Sequence, residues 1–143
     1  EHYLGIEKES GLVAAGVENE LGNEVRAARR PRIVISDAFK FSELGQQADF
    51  AIAQSLFSHL PPDLIDLCFE NLRPWLADDG VFFATYFEVE TPRKNASKPH
   101  DHGYFAYTKS EMKEFGVANG FTAHYIGNWN HPRGQVMVEY RRA

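Results

Sequence analysis

Tyr3-Leu4-Gly5-Ile6-Glu7 opens the chain as an apolar strand ending in an acid. The same pattern returns in Arg32-Ile33-Val34-Ile35-Ser36-Asp37. Two more apolar runs follow, Asp49-Phe50-Ala51-Ile52-Ala53 and Gly80-Val81-Phe82-Phe83-Ala84-Thr85. Short runs without polar alternation read as strands buried on both faces, the mark of a parallel sheet. Helical spacing lies between them. Ser10 is a candidate N-cap, and Val13, Val17 and Leu21 share one face after it. Gly22 ends or interrupts that helix, and Pro31 breaks any continuation.

Leu60-Pro61-Pro62 leads into a second helix, with Asp63 and Asp66 at its positive end. Leu64, Cys68, Leu72 and Trp75 fall on one line, with Ile65, Phe69 and Leu76 beside it. The helix is expected to stop at Asp78-Asp79-Gly80, where glycine can take a left-handed cap. Thr108-Lys109-Ser110-Glu111 is a capping box, flanked by a Tyr107–Met112 staple, and Gly120 stops that helix. Residues 121–129 and 135–140 read as strands. Their connector, Asn130-His131-Pro132-Arg133-Gly134, is short enough to require an antiparallel hairpin. These segments predict an α/β fold in a single domain over 1–143. Strands at about 3–7, 32–37, 48–56 and 80–87 are expected to be parallel, with the hairpin closing one edge.

At 143 residues the chain can bury a sizeable core, and 43% hydrophobic with 24% charged residues is ordinary for a globular domain. The net charge of −5 disfavours nonspecific attraction to nucleic acid or anionic membrane, so neither is an expected partner. Arg26, Arg29, Arg30 and Arg32 are interrupted by Pro31 and read as a solvated helix end and loop. The lone Cys68 can form neither an internal disulfide nor a zinc pattern, and reads as a small buried hydrophobe. No apolar run reaches membrane-spanning length and no signal peptide is visible, so the expected location is the cytoplasm.

Several residues can carry chemistry. An acid at a strand tip, Glu7 with Lys8 beside it, can accept two hydrogen bonds from ribose hydroxyls; an exposed acid in a strand-to-helix turn is the equal alternative. Asp37 can accept the exocyclic amine of adenine, with Ala38 or Phe39 on the ring, or can simply form a turn. His59 is a candidate general base, although local hydrogen bonding beside Pro61 is the favoured reading. His100-Asp101-His102 reads as solvated loop in preference to a metal site, and no metal is expected. Tyr104, Phe105 and Tyr107 form either an aromatic wall over a substrate or a tether to the core. Residues 88–105 are long and irregular, with 89–103 expected to form a flexible substrate cover.

In order and spacing these segments resemble the class I S-adenosylmethionine-dependent methyltransferases, entered at their second strand. Asp49-Phe50-Ala51-Ile52-Ala53-Gln54-Ser55-Leu56-Phe57-Ser58-His59-Leu60 is similar to that family's fourth-strand motif. Leu72-Arg73-Pro74-Trp75-Leu76-Ala77-Asp78-Asp79-Gly80 resembles its turn before strand five. The resemblance covers nearly the whole chain and implies a Rossmann-like sheet with S-adenosylmethionine as cofactor. It implies that Glu7 serves the ribose, Asp37 and Ala38 the adenine, and Gln54 and Ser55 the pocket beside the departing methyl, with Lys8 also among the cofactor-binding residues. It places Trp129, His131 and Arg133 at a turn usually remote from the methyl donor. The implied reaction is methyl transfer to an O, N or C atom of a small molecule. Because such a displacement can run on positioning and desolvation, the lack of an obvious nucleophile is compatible with it.

The family's first strand, glycine-rich loop and first helix do not appear in this sequence. The resemblance places that strand between those ending at Glu7 and near Ala53. The edges are therefore expected to be met by preceding residues, by another copy of the chain in a homo-oligomer, or by direct pairing of the two strands. Two other readings stay open: a non-catalytic binding or assembly protein on the same scaffold, and an NAD-dependent oxidoreductase fragment, which the antiparallel tail disfavours.

Overall fold

Parallel pairing of the first two apolar runs needs a crossover, and helices supply it. In the computed structural model, which describes residues 2–100 and 104–143, β1 (Leu4–Glu7) pairs parallel with β2 (Arg32–Ile35), Glu7 opposite Ile35. Between them run α1 (Ser10–Asn19) and α2 (Asn23–Arg29). Gly22, at φ 66°, separates the two helices. Ser10 is not the N-cap: that position falls to Glu9, with no side-chain cap of its own. β2 stops at Ile35, short of the expected Asp37, because Ser36 Oγ accepts from the amides of Ala38 and Lys40 at 3.2 Å each and turns the chain. These elements belong to the first of two compact units, Glu1–Gln47 and Ala48–Ala143.

The second unit is built on a five-stranded sheet in the order β3-β4-β7-β6, with β5 beside β4. Here β3 (Ala48–Ala53) and β5 (Ala106–Tyr107) run parallel to β4 (Leu76–Glu88), whereas β7 (Val136–Arg142) is antiparallel to both β4 and β6 (Phe121–Asn128). The fold is thus α/β, with parallel pairs and the expected C-terminal antiparallel hairpin. The short β5 carries no periodic signal and was not legible in the sequence.

The helix before β4 ends earlier than its apolar line suggests. α3 (Pro62–Leu72) buries Ile65, Cys68, Phe69 and Leu72. Pro74 has no amide to extend it, so the chain makes a 3-10 turn over Arg73–Trp75 and enters β4 at Leu76. The expected left-handed stop at Gly80 is therefore overturned; Gly80 lies inside β4, where a Cβ would come 2.9 Å from the Ala77 carbonyl oxygen. The second expected stop holds: α4 (Lys109–Ala118) ends before Gly120, at φ 77°. Its capping box is complete, with Thr108 Oγ1 accepting from the Glu111 amide at 3.1 Å and Glu111 Oε2 accepting from the Thr108 amide at 2.7 Å.

One face of the sheet closes on an aromatic cluster, Phe57, Phe69, Phe82, Phe121 and Tyr140, with ring centroids 4.8–6.1 Å apart. The opposite side of β3 departs from the expectation of a fully buried strand: Phe50 and Ile52 are 75% and 60% exposed.

The segment between β4 and β5 is pinned in the middle. Asn95 Nδ2 donates to the Ala106 carbonyl at 2.9 Å, and the Ala106 amide donates to Asn95 Oδ1 at 3.1 Å. The side chain thus copies a strand's hydrogen-bond pair, a restraint not foreseen in a cover over 89–103. Asp101 and His102 lie outside the described residues. No helix among the described residues is long and apolar enough to cross a membrane.

Candidate functional site

In the first unit, Glu7 and Asp37 stand at or just past the carboxyl ends of neighbouring parallel strands, where open α/β sheets bind ligands. Glu7 Oε1 accepts from the amides of Lys8 at 2.8 Å and Glu9 at 3.0 Å. It thereby satisfies amides at the start of α1, where anionic oxygen also meets the positive helix end. Oε2 has no hydrogen-bond partner among the described residues. Lys8 Nζ lies 3.6 Å from Glu9 Oε1, an exposed pair that contributes little. Asp37 is exposed, and Ser36 makes the turn in its place. Ala38 is half-buried; Phe39, held at φ 51°, is a strained non-glycine position and stacks on Phe41 at 6.5 Å. A groove of about 660 Å³ beside Tyr3, Val13, Val17, Val25 and Ile33 takes in Glu7 but neither Asp37 nor Ala38.

In the second unit, β3 ends at Ala53 and the chain turns through Gln54, which is exposed, into Ser55 at φ 58°. A directed hydrogen-bond circuit holds this strained position. The Ser55 amide donates to Thr85 Oγ1 at 2.8 Å. Ser55 Oγ at 3.2 Å and Thr85 Oγ1 at 2.6 Å both donate to Gln135 Oε1. Gln135 Nε2 donates to Ser58 Oγ at 3.4 Å, and Ser58 Oγ donates to the Ser55 carbonyl at 2.8 Å. The Arg133 amide donates to His131 Nδ1 at 3.2 Å, which puts the proton of the neutral imidazole on Nε2, facing Ser55 Oγ at 3.4 Å. Ser58, Thr85, His131 and Gln135 are all buried. A buried network in which each donor finds an acceptor fixes one arrangement, because any break leaves a desolvated polar group.

The hairpin turn thus packs against the carboxyl end of β3. His131 and Gln135 reach the very residue, Ser55, that the family resemblance places beside the departing methyl. Gln135, Thr85 and Ser58 were not anticipated; a glutamine just ahead of an apolar strand was the only signal, and it names no partner. His59 is half-buried, with Nδ1 3.3 Å from the His100 carbonyl. Donation from Nδ1 leaves the Nε2 lone pair open, so local bonding and proton acceptance are compatible. Phe105 and Tyr107 are fully buried tethers: the Phe105 amide donates to the Ser58 carbonyl at 2.8 Å and the Tyr107 hydroxyl to the Leu60 carbonyl at 2.5 Å. Tyr104, 48% exposed, alone keeps the character of a wall. Among the described residues no group of three or more His, Cys, Asp or Glu could hold a metal ion.

No family model and no curated protein matches the chain. Solved structures do match. The glycopeptide N-methyltransferase MtfA complexed with S-adenosyl-L-methionine superposes with a TM-score of 0.74 at 15% identity, over 98% of this chain and 77% of that one. A putative O-methyltransferase from Nostoc punctiforme PCC 73102 gives 0.70 at 16%, over 96% and 43%. Magnesium protoporphyrin IX methyltransferase from Synechocystis PCC 6803 with bound SAM gives 0.66 at 15%, over 98% and 59%. The chain spans between 43% and 77% of the length of these structures, and at these identities the likeness is one of fold.

Proposed function

We propose, from the class I S-adenosylmethionine-dependent methyltransferase fold that this chain has, that the protein transfers a methyl group to an O, N or C atom of a small molecule. The observation that carries this reading is the Glu7 carboxylate. Two amides fix Oε1 and leave Oε2 to accept ribose hydroxyls without reorganising. The exposed Asp37 suits the exocyclic amine of adenine, with Ala38 against the ring and Lys8 flanking the ribose. Gln54 and Ser55, in the second unit, are the residues we assign to the methyl-transfer step, and the Ser55 hydrogen bonds to Thr85 and Gln135 support that role by fixing its side chain. The His59 Nε2 lone pair can take the proton of a hydroxyl or amine acceptor. S-adenosylmethionine, when bound, supplies an electrophilic methyl on its sulfonium. The chain's own share is alignment and exclusion of water. We place the reaction in the cytoplasm, with neither nucleic acid nor membrane as partner.

Calorimetric titration with S-adenosylhomocysteine tests this. The protein is expected to bind it weakly, because the glycine-loop contacts that the family resemblance implies do not appear in this sequence, and Glu7→Gln, which keeps an amide-facing oxygen but removes the charge, is expected to weaken binding further, by about tenfold, or ~1.4 kcal/mol. Absence of binding, or an unchanged affinity in the variant, counts against the reading.

A further inference from the structure

An aromatic–arginine cluster lies at the carboxyl end of β4, and of its members only Tyr104 has a role above. Phe87 lies two residues beyond Thr85 and so on the same face of its strand, next to the Ser55 circuit. The ring of Tyr104 sits 4.7 Å from that of Phe87. Arg93, from the segment between β4 and β5, holds its guanidinium 4.9 Å over the Tyr104 ring. Arg133, from the β6–β7 turn, holds its own 5.9 Å over the Phe87 ring. The Arg133 amide also sets the His131 tautomer, so the cluster and the circuit are continuous.

Two separate connections thus deliver guanidinium groups to one aromatic pair. Among the described residues neither group forms an ion pair with a carboxylate. Glu88, the neighbour of Phe87, projects from the opposite strand face, where the Tyr86 hydroxyl donates to it at 3.0 Å. A guanidinium resting on a ring keeps its in-plane N–H fork free, and that fork matches the two oxygens of a carboxylate. Two such forks outside a strand's carboxyl end, where open α/β sheets bind ligands, suit a ligand anion.

We infer that this cluster is the acceptor subsite and that it takes a planar aromatic carboxylate. The acceptor's ring lies against Phe87 and Tyr104, and its carboxylate meets the forks of Arg93 and Arg133. Calling the ligand an acceptor rests on the methyl-transfer reading; its binding does not.

Titration of the protein by NMR with 4-hydroxybenzoate, benzamide and cyclohexanecarboxylate tests both halves of the recognition. Saturable binding of 4-hydroxybenzoate is expected, with the neutral and the non-planar probes each about tenfold weaker. Arg93→Gln and Arg133→Gln are each expected to weaken 4-hydroxybenzoate several-fold, and Arg133→Lys to restore it only in part, because the fork is lost. Both arginines are exposed, so the variants should fold, which unchanged melting would verify. Benzamide binding as tightly as 4-hydroxybenzoate, or the double Gln variant binding it unchanged, overturns the inference. S-adenosylhomocysteine, titrated in parallel, separates the two claims. If it binds while 4-hydroxybenzoate does not, the subsite fails and methyl transfer stands; the reverse result supports the anion site and removes methyl transfer.

Discussion

Gly116 illustrates how one side chain's absence can be a packing requirement. It lies in α4, where alanine would be the better helix former by about 1 kcal/mol. A Cβ there, however, would stand 2.7 Å from two ring atoms of Tyr140. That ring cannot swing aside: Tyr140 is fully buried and its hydroxyl donates to the Met112 carbonyl at 2.9 Å. Overpacking of this kind costs about 1–3 kcal/mol, which outweighs the propensity gain. Gly116→Ala should therefore lower the melting temperature in calorimetry; a rise would show that the ring yields. The sequence offers no hint of this constraint, because the conflict is between a helix and the strand β7. Glu7 is the contrasting case. Its place at a strand tip was readable from five consecutive residues, and only the division of labour between its two oxygens needed coordinates.

At the scale of elements, α4 was the most legible part of the chain, because a capping box lies within four consecutive residues. Thr108→Ala removes the acceptor for the Glu111 amide and is expected to cost about 1 kcal/mol, read as a lower midpoint in urea unfolding. Glu111→Ala should cost a similar amount, and the double variant should cost less than the sum, since each residue caps through the other. Strict additivity would mean that the reciprocal bonds do not form in solution. The boundary between α3 and β4 was misread for an equally physical reason. The apolar line through Leu72, Trp75 and Leu76 is compatible with helix, but Pro74 cannot donate to continue it. Leu76 instead pairs opposite Ala48.

For the molecule as a whole, the second unit stores protons that alkali must remove. Burial pushes the Cys68 thiol from 9.0 up to about 12. Burial likewise raises the phenols of Tyr86, Tyr107 and Tyr140, with the Glu88 hydrogen bond adding to Tyr86. The folded chain keeps these protons where the unfolded chain releases them. The stability these four groups contribute is therefore fully present below about pH 9 and is lost as pH rises toward 12. Circular dichroism and phenolate absorbance followed together should show these tyrosines ionising only as the unit unfolds; smooth ionisation with the fold intact would contradict their burial.

The sequence alone determined what depends on neighbours along the chain: the apolar strands, the acids at their tips, the capping box and the closing hairpin. Side-chain periodicity and turn chemistry are local, and so is their signature. Only the tertiary structure decided that Ser55 meets His131 and Gln135, that Arg133 lies over Phe87, and that Phe50 and Ile52 face solvent. Those outcomes depend on which strand lies beside which. No local pattern encodes that choice; it follows from how residues far apart in the chain fill and satisfy one interior.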